Sequence, residues 1–241
     1  MSNKTLKVIL SSFMILSLTA CGNKEKEPDP VPTPEEPEET EIPKEQETPE
    51  PENTGETEGE SIELQHGEVS GQVYWNESLD LVIDLPEGWT FADDEQLAEV
   101  NKQTGETMDS EFAKNMLEKG LTVIDAYAYD MSLPATINVV VSQSDQDVTT
   151  GNTELLYSMS ESTLRKEFES QGFTDIEITG LEVNFMGETH PCLKSTVTQQ
   201  EQPLYYRQVY CYTGKYLYVV TIVTLGADHT EELFQYFGHI N

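Results

Sequence analysis

The sequence predicts an α+β domain over residues 61–241, with one mainly antiparallel sheet and helices on both of its faces. Several short segments alternate apolar with polar residues, or are apolar throughout, as strands do. Other segments begin with an N-cap residue and carry apolar side chains on one helical face. These segments follow the order β-β-α-α-β-β-α, then several antiparallel strands, then α, which suits a layered α+β architecture.

The first part of this domain predicts two strands and a helix. Val69–Tyr74 is a short strand candidate, and Leu79–Leu85 has the period of a half-buried strand. Pro86-Glu87-Gly88 predicts a turn after it. Asp93 and Gln96 have the spacing of a capping box, so we expect a helix to begin there.

The middle of the domain predicts two further helices and two central strands. Asp109 would cap a helix that Gly120 ends. A longer helix would run from Asn152 or Thr153 to about Gln171. Two segments are apolar on both faces, which is typical of central strands covered on two sides: Leu121–Tyr129 and Ala135–Val141.

The C-terminal part predicts more sheet and a last helix. Gly214-Lys215 has the composition of a two-residue type II′ hairpin turn. Asp228 would cap the final helix, with Glu231 as its reciprocal partner. The strand candidates are Ile176–Thr179, Leu181–Phe185, Thr189–Thr198, Tyr205–Tyr212 and Tyr216–Leu225.

The charge of the chain excludes two classes of partner. Asp and Glu number 45 and Lys and Arg number 13, which gives a formal net charge of -32. A nucleic-acid-binding protein needs a basic footprint, and an anionic membrane surface attracts basic segments. We therefore expect no nucleic-acid partner and no electrostatic docking on a membrane.

The N-terminus predicts a secretory signal peptide over residues 1–20. Lys4 and Lys7 precede the apolar run Val8–Ala20, which is too short for a transmembrane helix of about 20 apolar residues. The exit Leu18-Thr19-Ala20-Cys21-Gly22 resembles the lipobox of bacterial lipoproteins. That resemblance implies that Cys21 carries a lipid and becomes the mature N-terminus, so that lipid anchors the chain at the extracytoplasmic face of the cell membrane. The alternative is an ordinary signal peptide with an incidental Cys.

Residues 21–60 predict a disordered linker. Positions 22–60 contain eight of the 12 prolines, 15 acidic residues and three lysines. Such a segment buries too little apolar surface to offset its chain entropy, and self-repulsion extends it. We interpret it as a stalk between the anchor and the domain. The alternative is a Pro-rich recognition motif at residues 28–34.

The opening of the domain resembles known bacterial surface lipoproteins. The similarity is carried by Gly71–Glu77 and by Leu81–Trp89, which ends in Leu-Pro-Glu-Gly-Trp. With the element order, it resembles the PsbP-like fold, shared by a photosystem II extrinsic subunit, a Ran-binding nuclear import factor and DcrB-type lipoproteins. The resemblance implies an assembly or binding factor rather than an enzyme.

Motifs for catalysis, cofactors or metals are weak in this sequence, and we expect none of the three. The four histidines are at 66, 190, 229 and 239, and none has a helical i,i+4 His partner. His190 and Cys192 could face one way on a strand, but a third ligand is missing nearby, so a structural role is favoured. The acidic loop at Asp145-Gln146-Asp147 lacks the Glu that an EF-hand requires, which favours an Asx-type turn.

Six of the 11 tyrosines fall within residues 205–218. They could form a platform for a sugar or a peptide, because rings stack and hydroxyls hydrogen-bond. The alternative is a half-buried sheet, because Tyr is a favoured strand residue.

Cys192 and Cys211 are disulfide candidates. A four-residue loop at Gln200–Pro203 would place them opposite each other on adjacent antiparallel strands. A loop of another length would change this register. Both could also remain free as buried apolar side chains.

Two classes of function remain. The first is a non-enzymatic binding or assembly module displayed on the stalk, with an envelope protein or glycan as partner. The alternative is a cell-envelope-directed hydrolase, which would need two carboxylates converging at about 5–9.5 Å in a cleft. The sequence singles out no such pair among the 30 acidic residues of the domain.

Overall fold

The computed structural model describes residues 66–107, 122–130, 132–144, 147–148, 151 and 153–240. The predicted signal peptide, the linker, the helix at 109–120 and the Asp145-Gln146 part of the acidic loop lie outside these residues. The strands are β1 (Glu68–Ser70), β2 (Val73–Asn76), β3 (Leu81–Asp84), β4 (Trp89–Phe91), β5 (Thr122–Asp130), β6 (Ala135–Gln143), β7 (Thr174–Phe185), β8 (Glu188–Gln199), β9 (Gln202–Thr213), β10 (Tyr216–Leu225) and β11 (Phe237–Gly238). The α-helices are α1 (Asp94–Thr107) and α2 (Thr153–Ser170), and 3-10 helices span Glu77–Leu79 and Glu232–Tyr236.

The strands form two antiparallel sheets, so the prediction of one sheet is wrong. The large sheet has the order β4-β5-β6-β10-β9-β8-β7, and the small sheet has the order β1-β2-β3-β11. One hydrophobic cluster joins Tyr74 and Ile83 of the small sheet to Ile137, Val139 and Val220 of the large sheet. Apolar side chains of the small sheet thus cover one of the two faces that the sequence assigned to helices.

The other face of the large sheet packs against α2. Leu156, Leu164 and Phe168 of this helix join a second cluster with apolar residues of β8, β9 and β10. Strands β5 and β6 are buried along most of their length, as their apolar sequence predicts. In the described part of the chain, neither helix is long and apolar enough to span a membrane.

Local signals place both α-helices correctly. The capping box is confirmed: Asp93 N–H donates to Gln96 Oε1 at 3.0 Å, and Gln96 N–H donates to Asp93 Oδ1 at 2.9 Å. The helix predicted from Asn152 or Thr153 is α2.

The predicted final α-helix is wrong, because its two capping residues have other partners. Asp228 accepts from Thr230, at 3.2 Å from the backbone N–H and 2.6 Å from the hydroxyl. Glu231 pairs with the buried Arg207 at 3.4 Å. The segment therefore forms only the short 3-10 helix Glu232–Tyr236.

Strand β7 is one strand where the sequence predicted two. It continues through Gly180, where α2 lies close to the strand. A Cβ atom on Gly180 would lie 2.4 Å from the ring of Tyr157, and the Tyr157 hydroxyl donates to Leu181 O at 2.6 Å. The glycine therefore marks a close approach between helix and strand rather than a strand end.

Two of the hairpin turns of the large sheet differ in how well the sequence predicted them. The Gly214-Lys215 turn is confirmed, with Thr213 paired to Tyr216 and Gly214 at φ +51°. The loop before β9 is a two-residue turn, Gln200-Glu201, with φ of +50° and +65°. It pairs Gln199 with Gln202, so the predicted four-residue loop is wrong.

Candidate functional site

A bulge in β5 places the carboxylate of Asp125 inside the domain. Ile124 pairs with Val140 and Ala126 pairs with Val139, so Asp125 is an extra residue without a partner on β6. Asn101 of α1 holds the bulge, because its side chain accepts from Ile124 N at 2.8 Å and donates to Ile124 O at 2.9 Å. The Asp125 side chain is fully buried.

Four donors surround this carboxylate. Oδ2 accepts from Gly67 N at 2.9 Å, from the Tyr74 hydroxyl at 2.7 Å and from Asn76 Nδ2 at 2.9 Å. Oδ1 lies 2.8 Å from Nδ1 of His66. Burial and the neighbouring Asp125 charge raise the pKa of Tyr74, so its hydroxyl stays a donor. Asp125, in the large sheet, is therefore hydrogen-bonded to the small sheet and to the segment His66-Gly67 that leads into it.

Asp125 also fixes the proton position on His66. A carboxylate can only accept, so the proton of the imidazole lies on Nδ1. In the described part of the chain Nε2 has no hydrogen-bond partner. The imidazole is 63% exposed, so that Nε2 is accessible to a ligand.

A pocket of about 370 Å³ lies beside this centre. Asn76 forms part of its wall and is held on both sides, since its Nδ2 donates to Asp125 and its Oδ1 accepts from Leu79 N at 3.2 Å. Glu68 and Glu77 are exposed at the pocket, and Trp75 is half-buried. Among the residues that the structure describes, the pocket is lined by His66, Glu68, Trp75, Asn76, Glu77 and Ser78.

Gly67 allows the segment His66-Gly67, which leads into β1, to pass close to β2. A Cβ atom at this position would lie 2.4 Å from Cε2 of Tyr74 and 2.8 Å from the Trp75 carbonyl oxygen. The close contact brings the Gly67 N–H to Asp125 and holds His66 at the mouth of the pocket. A larger residue here would separate the pocket from its buried support.

The sequence did not predict this centre. His66 was considered only for a helical i,i+4 His partner, which it lacks, and Asp125 belongs to no motif. One signal was present: Asp125 is the only charged residue between Leu121 and Tyr129, in a segment otherwise apolar enough for a central strand. A buried carboxylate in such a strand needs several donors, which makes it a marker of a polar centre.

The disulfide predicted between Cys192 and Cys211 is wrong. Cys192 pairs with Val209, two residues short of Cys211, because the turn before β9 is shorter than expected. Diagonal positions of this kind are about 7–8 Å apart, beyond the usual disulfide range. Both thiols are free and buried in the core, and burial raises the pKa of each to about 12. They are therefore protonated and unreactive at neutral pH.

The other sequence candidates are mainly structural. His190 is half-buried, with its ring edge-on to Phe185 at 6.1 Å between centroids. Tyr206, Tyr210 and Tyr218 are buried in the core and Tyr205, Tyr212 and Tyr216 are half-buried, as the alternative of a half-buried sheet predicts. Within the described ranges, no group of three or more His, Cys, Asp or Glu side chains is placed to hold a metal ion.

The other buried carboxylates in the described ranges, Asp130 and Glu167, also have internal partners. Burial would raise the pKa of Asp130, but hydrogen bonds from the Ser132 hydroxyl and from the N–H groups of Ser132 and Leu133 outweigh it, and the pKa is lowered. Glu167 accepts from Gln171 Nε2 at 2.6 Å. Asp130 thus stabilises its own turn and Glu167 the end of α2.

Comparisons with known proteins leave the family open. No protein-family model and no curated protein matches the chain. Solved structures of similar arrangement include PsbP (CyanoP) from Synechocystis sp. PCC 6803, with 15% identity and a TM-score of 0.45, covering 78% of this chain and 99% of that chain. LpqN of Mycobacterium tuberculosis, described as involved in cell envelope biogenesis, has 9% identity and a TM-score of 0.36, covering 67% and 83%. A Bacteroides thetaiotaomicron protein has 8% identity and a TM-score of 0.38, covering 72% and 50%. The expected PsbP group is thus among the neighbours, but similarity at this level does not place the chain in a family.

Proposed function

We propose that the chain is a lipoprotein anchored through Cys21 at the extracytoplasmic face of the cell membrane. Its folded domain is a non-enzymatic binding module, carried on the acidic segment of residues 21–60. The His66 pocket is its binding site. The observation that carries this proposal is the centre behind the pocket, where Asp125 accepts four hydrogen bonds and holds the wall rigid. A rigid wall lowers the entropy cost of binding.

The state of the carboxylates favours binding over hydrolysis. A glycosidase needs one carboxyl group with a raised pKa and a second that is free to act on the sugar or on water. The buried groups Asp125, Asp130 and Glu167 are occupied by internal donors. The two pocket acids, Glu68 and Glu77, are solvent-exposed, which suits electrostatic recognition.

Sedimentation with isolated cell envelope tests binding against hydrolysis. The envelope is first extracted with detergent to remove its membrane lipids, and the full mature chain is kept in the same detergent, so that its own lipid stays in micelles. Under these conditions we expect the chain to sediment with the envelope material and to release no soluble fragments detectable by mass spectrometry. The double variant Glu68→Gln/Glu77→Gln should sediment less. The matched control Glu87→Gln/Glu177→Gln removes the same charge from exposed positions outside the pocket and should behave as the wild type. Fragments released by the wild type but not by the pocket variant would establish the hydrolase instead.

The anchor has its own test. We expect Cys21→Ala to abolish incorporation of labelled palmitate and to leave a precursor of unprocessed length, because the thiol is the atom that would carry the lipid. Ser12→Ala, within the apolar run, should keep both the label and the processing. Equal labelling of the wild type and Cys21→Ala would contradict the anchor and leave the binding module to be judged separately.

A further inference from the structure

We infer that the His66 pocket binds a small organic ammonium ion. The inference rests on the proposed role of this pocket as the binding site and adds the chemical class of its ligand. Carboxylates alone would form only a solvated acidic surface. Here they line a pocket together with an indole and an imidazole whose proton position is fixed from behind.

The charged groups among the described lining residues of the pocket are acceptors. Glu68 and Glu77 present carboxylates, and the buried Asp125 adds a third negative charge behind the wall. A ligand carboxylate or phosphate would be repelled by this set, whereas an ammonium group would donate to it.

The imidazole of His66 completes the acceptor set. Asp125 holds the proton on Nδ1, so Nε2 of the neutral ring carries a lone pair. A ligand N–H can donate to that lone pair. A ligand hydroxyl can also donate there, but it brings no positive charge to the two carboxylates.

The indole and the size of the pocket narrow the class to organic cations. Trp75 lines the pocket, and a cation is attracted to an indole face by about 0.5–1 kcal/mol at an exposed site. The volume of about 370 Å³ lies at the lower end of the range for small-molecule sites. A bare metal ion is disfavoured, because the described residues offer no group of three metal-binding side chains.

Fluorine NMR of the full mature chain in detergent micelles gives a local readout. The chain contains two tryptophans, which can both be replaced by 5-fluorotryptophan. Trp75 lines the pocket and reports binding there, whereas Trp89 is buried in the core and serves as an internal control. The probe is 1,5-diaminopentane, and the control ligand is 1,5-pentanediol, which has the same length and no charge.

We expect the diamine to shift the Trp75 resonance in a saturable manner and to leave Trp89 unchanged. The diol should leave both unchanged. Glu68→Gln/Glu77→Gln should weaken the diamine by about fivefold, as expected for the loss of two exposed ion pairs. Glu87→Gln/Glu177→Gln makes the same change in net charge outside the pocket and should weaken diamine binding less than about twofold. The comparison distinguishes binding by the pocket carboxylates from attraction to the net negative charge of the domain.

Asp125→Asn tests the fixed imidazole. The new amide can keep its oxygen toward Gly67, Tyr74 and Asn76 and turn its NH₂ toward His66. Nδ1 would then accept, and Nε2 would carry the proton and face the ligand as a donor. We expect about fivefold weaker diamine binding while the Trp89 resonance stays in place.

Two results would overturn the inference. One is the absence of any Trp75 shift with the diamine, and the other is an equal shift with the diol. Neither result bears on the sedimentation with envelope material. If the chain bound envelope material but its Trp75 resonance did not shift with the diamine, the proposed function would stand and the proposed ligand class would be wrong.

Discussion

Replacement of Asp125 by alanine is expected to lower the free energy of unfolding by about 3–5 kcal/mol, which is typical when one partner of a buried charged network is removed. The Tyr74 hydroxyl and the Asn76 amide would remain buried without their acceptor, and the Gly67 N–H would lose the same oxygen. Each unsatisfied buried group costs about 1–3 kcal/mol, partly relieved by relaxation. Urea denaturation of the full mature chain, followed by tryptophan fluorescence, measures the change.

Two variants calibrate this prediction. Asp125→Asn keeps an acceptor for the three donors and should cost only about 1–2 kcal/mol. Asp84→Ala removes an exposed carboxylate from β3 and should change stability by less than about 0.5 kcal/mol. If Asp125→Ala lowered the free energy of unfolding by less than about 1 kcal/mol, the hydrogen bonds of Asp125 would not hold the two sheets together as we expect.

Phe185→Ala should be comparably destabilising, by about 3–5 kcal/mol. Phe185 at the end of β7 is fully buried. Its ring centroid lies 5.1 Å from that of Phe234 and 5.0 Å from that of Phe237 in β11. Alanine would leave a cavity between the large sheet and the C-terminal segment. The same denaturation measurement applies.

Two variants show whether the loss comes from the ring cluster. Phe185→Leu keeps most of the volume and should cost less than about 1.5 kcal/mol. Val69→Ala shortens an exposed apolar side chain in β1 and should be nearly neutral. An alanine variant at Phe185 as stable as the leucine variant would show that the site collapses without a cavity and that the rings do not hold β11.

Local patterns predicted the elements that depend on nearby residues. The capping box at Asp93, the start of α2 and the turn at Gly214 each involve groups within a few positions, and all three are present. The strands β5 and β6 were predictable because burial on both faces requires a continuous apolar sequence.

The errors arise where distant residues compete with local preference. Glu231 pairs with Arg207 across 24 positions, so the capping residue predicted for a final helix is used elsewhere. The Gln200-Glu201 turn takes two left-handed residues without glycine or asparagine, so its length had no sequence signal. That single turn changed the register on which the Cys192–Cys211 pairing depended.

The candidate site was hidden for the same reason. The four donors to Asp125 come from positions 49 to 59 residues away. No local pattern encodes that meeting, because it requires the bulge in β5, the close approach at Gly67 and the pairing of the two sheets. Sequence reasoning could find Asp125 only as an unexplained charge in an apolar strand.

The position of β11 at the edge of the small sheet implies that this sheet is completed late in folding. Phe237 pairs with Ile83 and Gly238 with Val82, so one side of β3 stays unpaired until residues more than 150 positions later are in place. Contacts of such high sequence separation are entropically slow to form. In a chain that emerges N-terminus first, this edge of β3 would stay unpaired until β11 arrives. The interval before that arrival is when we expect this domain to be most prone to aggregation and to proteolysis.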